Sequence, residues 1–311
     1  MSGDERRKGA VTVVVNPVSG EGHGQELAET LVAALRDQGR TVRMVVTEGE
    51  GDMARLVGEA CDSGAALVVV VGGDGAVQAA VDMIARRDPR PSLAHLPAGT
   101  TNAIARAFGL KDDPGGLAAL IAAGEIRTID LGYLEDRDRY FLLMATVGDP
   151  TRVVTGASRE LKDRLGFGAY LAAAARAAAS PKHASVTLHC DQQTLRRKVN
   201  GILLANVARL ERPAVTIAPD GAYDDGRLDL VLLSTRGFLG WFRLACAWLL
   251  RRCGDGKSLE FRSIQRCTVE AVPPLPVQID GEFAGETPVT VVVAPAVLTL
   301  VMPAEAGAAD D

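Results

Sequence analysis

Apolar strand-like runs and amphipathic segments alternate along the first third of the chain. "VTVVV" at Val11–Val15 and "ALVVVV" ending at Val71 are continuous apolar runs, and the segments after "VTVVV" and "TVRMVVT" have helical periodicity and end at Gly39 and Gly64. Continuous apolar strands that alternate with helices indicate a parallel sheet covered on both faces. The pattern therefore predicts an α/β domain, in which ligands bind beyond the carboxyl ends of the strands.

The pattern changes after Asp130 to short strands separated by turn residues. "RTIDLGYLE" and "RYFLLMATVG" predict a β-hairpin around "DRD", and later strands include "LPVQID", "PVTVVV" and "VLTLVMP". Helical periodicity interrupts the strands at three places: 151–163, 168–179 and 238–252. Short strands with regular turn signals favour an antiparallel sheet or sandwich. We therefore predict an α/β domain over residues 1–127 and a β-rich, sandwich-like domain over 128–294.

Charge and cysteine usage exclude several classes of protein. The net charge is −5 and no basic stripe is present, which argues against a nucleic acid partner. The five cysteines form no C-x-x-C pair and the four histidines lack zinc-type spacing, so we predict reduced thiols and no zinc site. The charged start "MSGDERRKGA" lacks the apolar core of a signal peptide, and Arg243 interrupts the most apolar segment. We therefore expect a cytoplasmic protein.

Three strand ends of the predicted α/β domain carry small, polar and glycine-rich sequence. These loops are "NPVSGEGHG" at 16–24, "GGDG" at 72–75 and "PAGTTN" at 97–102, and each precedes a predicted helix. Glycine lets the backbone approach a ligand closely, and a helix N-terminus offers unpaired N–H groups to an anion. Since the carboxyl ends of parallel strands meet at one edge of a sheet, the three loops predict a nucleotide or phosphate site.

Asp74 places a carboxylate inside the second of these loops. It fits there if it faces a ribose hydroxyl, a Mg²⁺ ion or the water shell of that ion. It also fits as a helix N-cap, and the two roles can coexist. The chain contains no G-x-x-x-x-G-K-[ST], and "GEGHG" is not G-x-G-x-x-G. A P-loop enzyme is therefore excluded, and a Rossmann oxidoreductase is left as a minor alternative.

"NPVSG", "GGDG" and "PAGTTNAIAR", in this order and spacing, resemble the diacylglycerol kinase catalytic-domain family. That family includes bacterial lipid kinases and sphingosine and ceramide kinases, and it is distantly similar to NAD kinases. "LGFGAYLAAAARA", "APDGAYDDGRLDLVLL" and "QIDGE" extend the resemblance over nearly the whole chain. The resemblance implies an NAD kinase-like, nucleotide-binding α/β domain, a β-rich domain, and an active site in the cleft between them. It further implies that residues 295–311 return to the first domain before a disordered tail.

The activity implied by the resemblance is transfer of the γ-phosphoryl group of ATP, with Mg²⁺, to a hydroxyl of a diacylglycerol-like or sphingoid-like lipid. Asp280 would be the general base, and Glu282 would help to hold Mg²⁺. Asp224 and Asp225 resemble a separate structural metal site. The residues that would contact the nucleotide are Asn16, Ser19, Gly20, Gly73, Asp74, Gly75, Gly99 and Thr100. Without the resemblance, "DGE" also fits an ordinary hairpin turn between "PLPVQI" and "PVTVVV".

Two alanines depart from the family pattern and leave other functions open. Ala76 stands where a threonine usually follows G-G-D-G, and Ala103 stands where an acid is common. The alternatives are a nucleotide or lipid sensor without catalysis, and a kinase of a soluble substrate in the NAD kinase style. The second alternative lacks its usual N-E pair, since "QAAVD" follows the glycine loop.

A lipid kinase has to reach a membrane surface. The segment 238–252 carries Trp241 and Trp248 mostly on one helical face, which fits an interfacial helix and a core-packed helix equally. We expect peripheral association with the inner face of the membrane, and a homodimer is open.

Overall fold

The computed structural model of the protein describes residues 9–49, 51–148, 184–207, 209–210, 215–216, 222–234 and 259–304. The helices predicted at 151–163, 168–179 and 238–252, and the tail beyond residue 304, lie outside the described residues. Among the helices that are described, none is both long enough and apolar enough to span a bilayer.

The first domain is a parallel sheet with helices on both faces. Its strands are β1 Val11–Val15, β2 Val42–Val46, β3 Leu67–Gly72 and β4 Ser92–Pro97, in the order β2-β1-β3-β4. Its helices are α1 Gly24–Asp37, α2 Asp52–Asp62, α3 Asp74–Ala85, α4 Ala103–Ala107 and α5 Pro114–Ala123, with a short 3-10 helix at Ser19–Gly22. The predicted α/β domain is confirmed, whereas α5 was not predicted.

Alternate side chains of β3 belong to two separate cores. Val68 and Val70 pack with residues of α2, α3 and α4, whereas Val69 and Val71 pack with residues of α1 and α5. Both faces of the strand are therefore buried, which is why its sequence is continuously apolar rather than alternating.

The second domain is a β-sandwich, as the sequence predicts. Its strands are β5 Ile126–Leu134, β6 Arg139–Phe141, β7 Met144–Gly148, β8 Ala184–Cys190, β9 Gln193–Val199, β10 Gly201–Ala205, β11 Arg209–Leu210, β12 Val215–Thr216, β13 Leu228–Leu233, β14 Leu259–Ile264, β15 Arg266–Val272, β16 Pro276–Ile279, β17 Glu282–Glu286 and β18 Val289–Val301. One antiparallel layer has the order β14-β13-β10-β7-β16-β17, and it shares a core with β8, β15 and β18 of the other layer.

Strand β18 joins the sheets of the two domains. Predicted as two strands, it is one strand of 13 residues with an irregularity between Ala294 and Leu298, where it pairs with β5. Its first half pairs with β15 of the sandwich, and Leu300 pairs in parallel with Leu93 of β4. The resulting sheet has the order β2-β1-β3-β4-β18-β15-β8-β9 and runs through both domains.

The predicted hairpin around "DRD" is correct in its first half and wrong in its second. The second arm is not one strand: β6 ends at Phe141 beside β5, and β7 begins at Met144 in the opposite layer of the sandwich. At this break the backbone N–H groups of Leu142 and Leu143 donate to the side chain of Asp280, the residue that follows β16. The break therefore serves a tertiary contact.

Helix α3 and strand β6 hold the two domains together beside the cleft. Gln78 Nε2 donates to the carbonyl oxygen of Tyr140 at 2.5 Å, and the Tyr140 N–H donates to Asp82 Oδ1 at 2.9 Å. Arg86, the C-cap residue of the same helix, forms an ion pair with Asp138. Because α3 begins at the second glycine loop, this contact fixes β6 relative to that loop.

Candidate active site

The three strand-end loops lie side by side at one edge of the parallel sheet. A Cβ added to Gly72 would lie 3.7 Å from both Asn16 Cβ and Ser19 Oγ of the first loop. A Cβ added to Gly99 would lie 2.6 Å from the Cα of Gly73. The second loop is thus in contact with the first on one side and with the third on the other.

Asn102 shapes the third loop. It adopts the left-handed conformation, with φ of 47°, and it precedes α4. Its Oδ1 accepts from the N–H of Gly99 at 2.9 Å, and its Nδ2 donates to the carbonyl oxygen of Gly99 at 2.8 Å. These two bonds close the loop on itself and hold Gly99 against Gly73. Asn102 was not predicted as a site residue, although asparagine is one of the few residues that adopt this conformation readily.

Asp74 caps a helix, but a different helix from the one it begins. Its Oδ2 accepts from the N–H of Ala103 and its Oδ1 from the N–H of Ile104, both at 2.9 Å. These donors form the first turn of α4, whereas the N-cap of α3 is Gly73. Asp74 therefore ties the second loop to the third, and its proposed contact with the nucleotide stays a prediction.

Asp74→Asn is expected to lower the free energy of unfolding by about 1–2 kcal/mol, because an amide accepts one of the two N–H bonds and opposes the other with its own NH₂. Urea unfolding measures the loss. The matched control is Asp113→Asn, since Asp113 precedes α5 without a side-chain capping bond. An equal loss in the two variants would contradict the capping role.

The carboxylate of Asp280 is held by three backbone N–H groups. Asp280, with φ of 48°, and Gly281 form a two-residue turn between β16 and β17. Its Oδ1 accepts from the N–H groups of Leu143 and Met144 at 2.9 Å each, and its Oδ2 accepts from that of Leu142 at 2.7 Å. The hairpin interpretation of "DGE" is therefore correct, but the second strand is β17 and not "PVTVVV".

The surroundings of Asp280 favour a proton acceptor. Burial raises the pKa of Asp280 to about 6; the charge of Asp74 acts in the same direction, and the three N–H bonds oppose it. A pKa near the working pH suits a general base that is ionised at pH 7. Oδ1 already accepts two bonds and Oδ2 only one, so Oδ2 has the lone pair that can receive a proton.

Glu282 lies across the cleft from the second glycine loop. Its Oε2 accepts from Nη2 of Arg139 at 2.9 Å, and its Oε1 lies 3.6 Å from where a Cβ on Gly75 would be. The structure therefore brings "QIDGE" of the sandwich against "GGDG" of the α/β domain. Arg139 was missed at the sequence level, where a lone arginine in a predicted strand gives no signal.

Asn206 shapes the strand break that supplies the N–H groups to Asp280. It is 1% exposed, its Nδ2 donates to the carbonyl oxygen of Leu142 at 2.9 Å, and its backbone N–H donates to that of Leu143 at 2.8 Å. A buried amide that fixes two consecutive carbonyls also fixes the directions of the adjoining N–H groups. Asn206 was not predicted as a site residue, because a single asparagine after an apolar strand gives no signal in the sequence.

The remaining predicted residues lie outside this cluster. Thr100 is exposed in the third loop, and Gly20 lies in the 3-10 helix after the first strand. Asp224 and Asp225 are exposed, and Asp225 Oδ1 accepts from the N–H of Arg227 at 3.0 Å. Within the part of the chain that the structure describes, no three His, Cys, Asp or Glu side chains form a metal-binding group. The structural metal at Asp224 and Asp225 stays a prediction.

Comparisons with known proteins agree on both domains. Residues 10–134 match the family model "Diacylglycerol kinase catalytic domain", and residues 151–302 match "YegS C-terminal NAD kinase beta sandwich-like domain". A Pseudomonas aeruginosa protein named "Probable lipid kinase YegS-like" is 33% identical over 92% of each chain. The protein named "Diacylglycerol kinase" of Bacillus subtilis is 26% identical over 89% of this chain and 90% of its own length.

A solved structure has the same fold. The crystal structure described as a diacylglycerol kinase from Bacillus anthracis str. Sterne superimposes with a TM-score of 0.75 at 19% identity, over 96% of this chain and 98% of that one. At this identity the likeness concerns the fold alone.

Proposed function

Because the chain belongs to the diacylglycerol kinase catalytic-domain family, a family of lipid kinases, we propose that it transfers the γ-phosphoryl group of ATP to a lipid hydroxyl. One observation carries the proposal: a single hairpin supplies both Asp280, fixed by three N–H groups, and Glu282, which faces the second glycine loop. This juxtaposition supports the assignment of Asp280 as the proton acceptor and of Glu282 as the metal-binding carboxylate beside the loops proposed for the phosphates.

In the proposed reaction the lipid hydroxyl oxygen attacks the γ-phosphorus. A new O–P bond forms, the bond from the γ-phosphorus to the β–γ bridging oxygen breaks, and ADP leaves with that electron pair. Asp280 Oδ2 receives the hydroxyl proton. Phosphoryl transfer depends on positioning and charge neutralisation more than on covalent help. The N–H groups of the three loops, in particular that of Gly75 in the first turn of α3, would hold the phosphates.

Magnesium fits the residues that are present. Proteins hold Mg²⁺ with one or two carboxylates together with substrate phosphates. Both oxygens of Asp74 and of Asp280 already accept backbone N–H bonds, whereas Glu282 is exposed with one oxygen towards Gly75. Glu282 would thus hold the ion together with the phosphates. Bound there, Mg²⁺ would neutralise charge on the transferring group.

Exposed apolar side chains beside the cleft support a lipid acceptor. Phe283 follows Glu282 on β17 and is 65% exposed, and Val18 in the first loop is 82% exposed. Exposed apolar side chains on the hairpin that carries the proposed base, and in the first loop, suit an acyl chain better than a soluble nucleotide. A diacylglycerol-like or sphingoid-like alcohol presented at a membrane surface is the acceptor that we propose.

The test is transfer of label from [γ-³²P]ATP to lipids in mixed micelles with Mg²⁺. Glu282→Gln is expected to lower kcat by about 10²- to 10³-fold, since it removes the charge that would hold the metal. Glu286→Gln is the control, because Glu286 is exposed on the same strand at the end away from the turn. Tight ATP binding without any labelled product from diacylglycerol, sphingoid base or phosphatidylglycerol would overturn the proposal in favour of a sensor.

A further inference from the structure

The loops proposed for the phosphates lack a permanently charged cation, and their one basic side chain is His23. "NPVSGEGHG", "GGDG" and "PAGTTN" have neither lysine nor arginine. Enzymes that transfer phosphoryl groups usually place a lysine or arginine on the charge that develops in the transition state. A lysine or arginine for this site therefore has to come from another element.

Arg139 on β6 is placed to supply it. Its Nη2 is 2.9 Å from Oε2 of Glu282, and the side chains of Arg139 and Glu282 are 32% and 45% exposed. The other oxygen of this carboxylate faces Gly75. The carboxylate of Glu282 thus contacts the guanidinium group through one oxygen and faces the second glycine loop with the other.

The main chain beneath Arg139 is anchored to the helix that begins at that loop. The adjacent residue, Tyr140, is bonded through its carbonyl oxygen to Gln78 and through its N–H to Asp82 of α3. Asp74 is the first residue of α3. The backbone at Arg139 therefore lies at a set distance from the loop, while the long arginine side chain has the rotatable bonds to reorient.

We propose that Arg139 is a further catalytic residue, which pairs with Glu282 in the free enzyme and contacts the transferring phosphoryl group once a metal ion has replaced it on Glu282. This inference rests on the function proposed above. An exposed ion pair is weak, so that the exchange costs little. The planar guanidinium group can then donate two N–H bonds to phosphate oxygens, which a lysine cannot do in the same geometry.

Turnover provides the first part of the test. Arg139→Gln is expected to lower kcat by about 10²- to 10³-fold, as the loss of one transition-state donor does. The KM for ATP should change by less than about threefold, because the contact belongs to the transition state. The control is Arg197→Gln on β9, which removes an ion pair with Glu260 of the same N–O distance, 2.9 Å, and similar exposure. Unchanged turnover in Arg139→Gln would overturn the proposal.

Metal affinity provides the second part, and it needs no lipid product. The probe is Mn²⁺, titrated by electron paramagnetic resonance in the presence of a non-hydrolysable ATP analogue. Arg139→Gln is expected to bind Mn²⁺ about two- to fivefold more tightly, since the cation that competes for Glu282 is gone. Arg139→Lys and Arg197→Gln should match the wild type. Equal or weaker binding by Arg139→Gln would overturn the exchange and make Arg139 a residue that only orients Glu282.

The two measurements separate failure of this inference from failure of the proposed function. A wild-type enzyme that labels no lipid would contradict the proposed kinase activity, whereas the Mn²⁺ titration would still report whether Arg139 competes at Glu282. If the wild type labels lipid and Arg139→Gln is equally active, the proposed kinase activity stands and Arg139 has no part in its mechanism.

Discussion

Asp280→Asn is expected to lower kcat for lipid phosphorylation by about 10²- to 10⁴-fold, the range for loss of a general base. The KM for ATP should stay within about threefold of the wild type, because Asp280 acts on the acceptor. The amide has nearly the same shape, but it cannot take the hydroxyl proton at Oδ2. The measurement is the radiolabel transfer assay.

The pH profile identifies the group. With the pKa of Asp280 at about 6, kcat/KM of the wild type should fall as the pH drops through about 6. An aspartate at its ordinary pKa of 3.8 would place this limb two pH units lower. Residual activity of Asp280→Asn should lack the limb near pH 6. A wild-type profile flat down to pH 5 would contradict the assignment.

The same raised pKa has a consequence for stability. Between pH 3.8 and about 6 the folded state binds a proton at Asp280 that the unfolded state has lost, so the wild type loses stability as the pH rises through this window. The shift corresponds to about 2–3 kcal/mol. Urea unfolding of the wild type minus that of Asp280→Asn should show this decline between pH 4 and 6.5.

Asp191→Asn is the matched control for Asp280→Asn. Asp191 has φ of 49°, lies in the two-residue turn between β8 and β9, and accepts backbone N–H bonds from Gln265 and Arg266 through Oδ1. It therefore reproduces the structural role of Asp280 on another hairpin. Its replacement should leave kcat unchanged; an equal loss of activity would show that damage to a turn, rather than loss of a base, explains the result.

Gly99→Ala is expected to separate the second and third loops. The new Cβ would lie 2.6 Å from Gly73 Cα and 2.8 Å from Asn102 Oδ1, and backbone cannot give way cheaply. Overpacking of this kind lowers the free energy of unfolding by about 1–3 kcal/mol. A displacement of about 1 Å at a reacting site costs about 10²-fold in rate, which is the loss of kcat/KM that we expect. Calorimetric unfolding and the transfer assay measure both effects.

Two other glycines distinguish steric damage from a general cost of substitution. A Cβ on Gly73 would meet Gly99 Cα at 3.4 Å, and a Cβ on Gly49 would meet nothing within 4 Å. Gly73→Ala should therefore unfold close to the wild type while weakening ATP binding, since it narrows the approach to the phosphates. Gly49→Ala should alter neither. Equal destabilisation by all three substitutions would refute the steric explanation.

The layers of the fold could be predicted from the sequence, because a strand that is buried on both faces has a continuously apolar sequence. β1 occurs at its predicted bounds, Val11–Val15. The break at Leu142 could not be predicted, because "YFLLMAT" around it contains no turn residue. It exists because Asp280, 138 positions later in the chain, draws the N–H of Leu142 out of the strand.

In the candidate site, too, some features are visible in the sequence and others depend on contacts between distant residues. Its glycine loops are visible in the sequence because glycine tolerates close backbone approach. The partners of its carboxylates are not visible, because Asp74 bonds to Ala103 and Ile104, and Glu282 to Arg139, across long separations. α5 was missed for a local reason, since "PGGLAALIAA" places two glycines in its first turn and lacks a polar face.

The paired strands β5 and β18 form a rigid connection between the domains. In the described part of the chain, both crossings from one domain to the other lie in this pair, and β18 is hydrogen-bonded to β15 at one end and to β4 at the other. Bending one domain against the other would break backbone hydrogen bonds along this strand pair. We therefore expect the distance between Glu282 and Gly75 to stay the same when ligands bind and leave. Adjustment to the substrate is then expected from side chains such as Arg139 rather than from closure of the two domains.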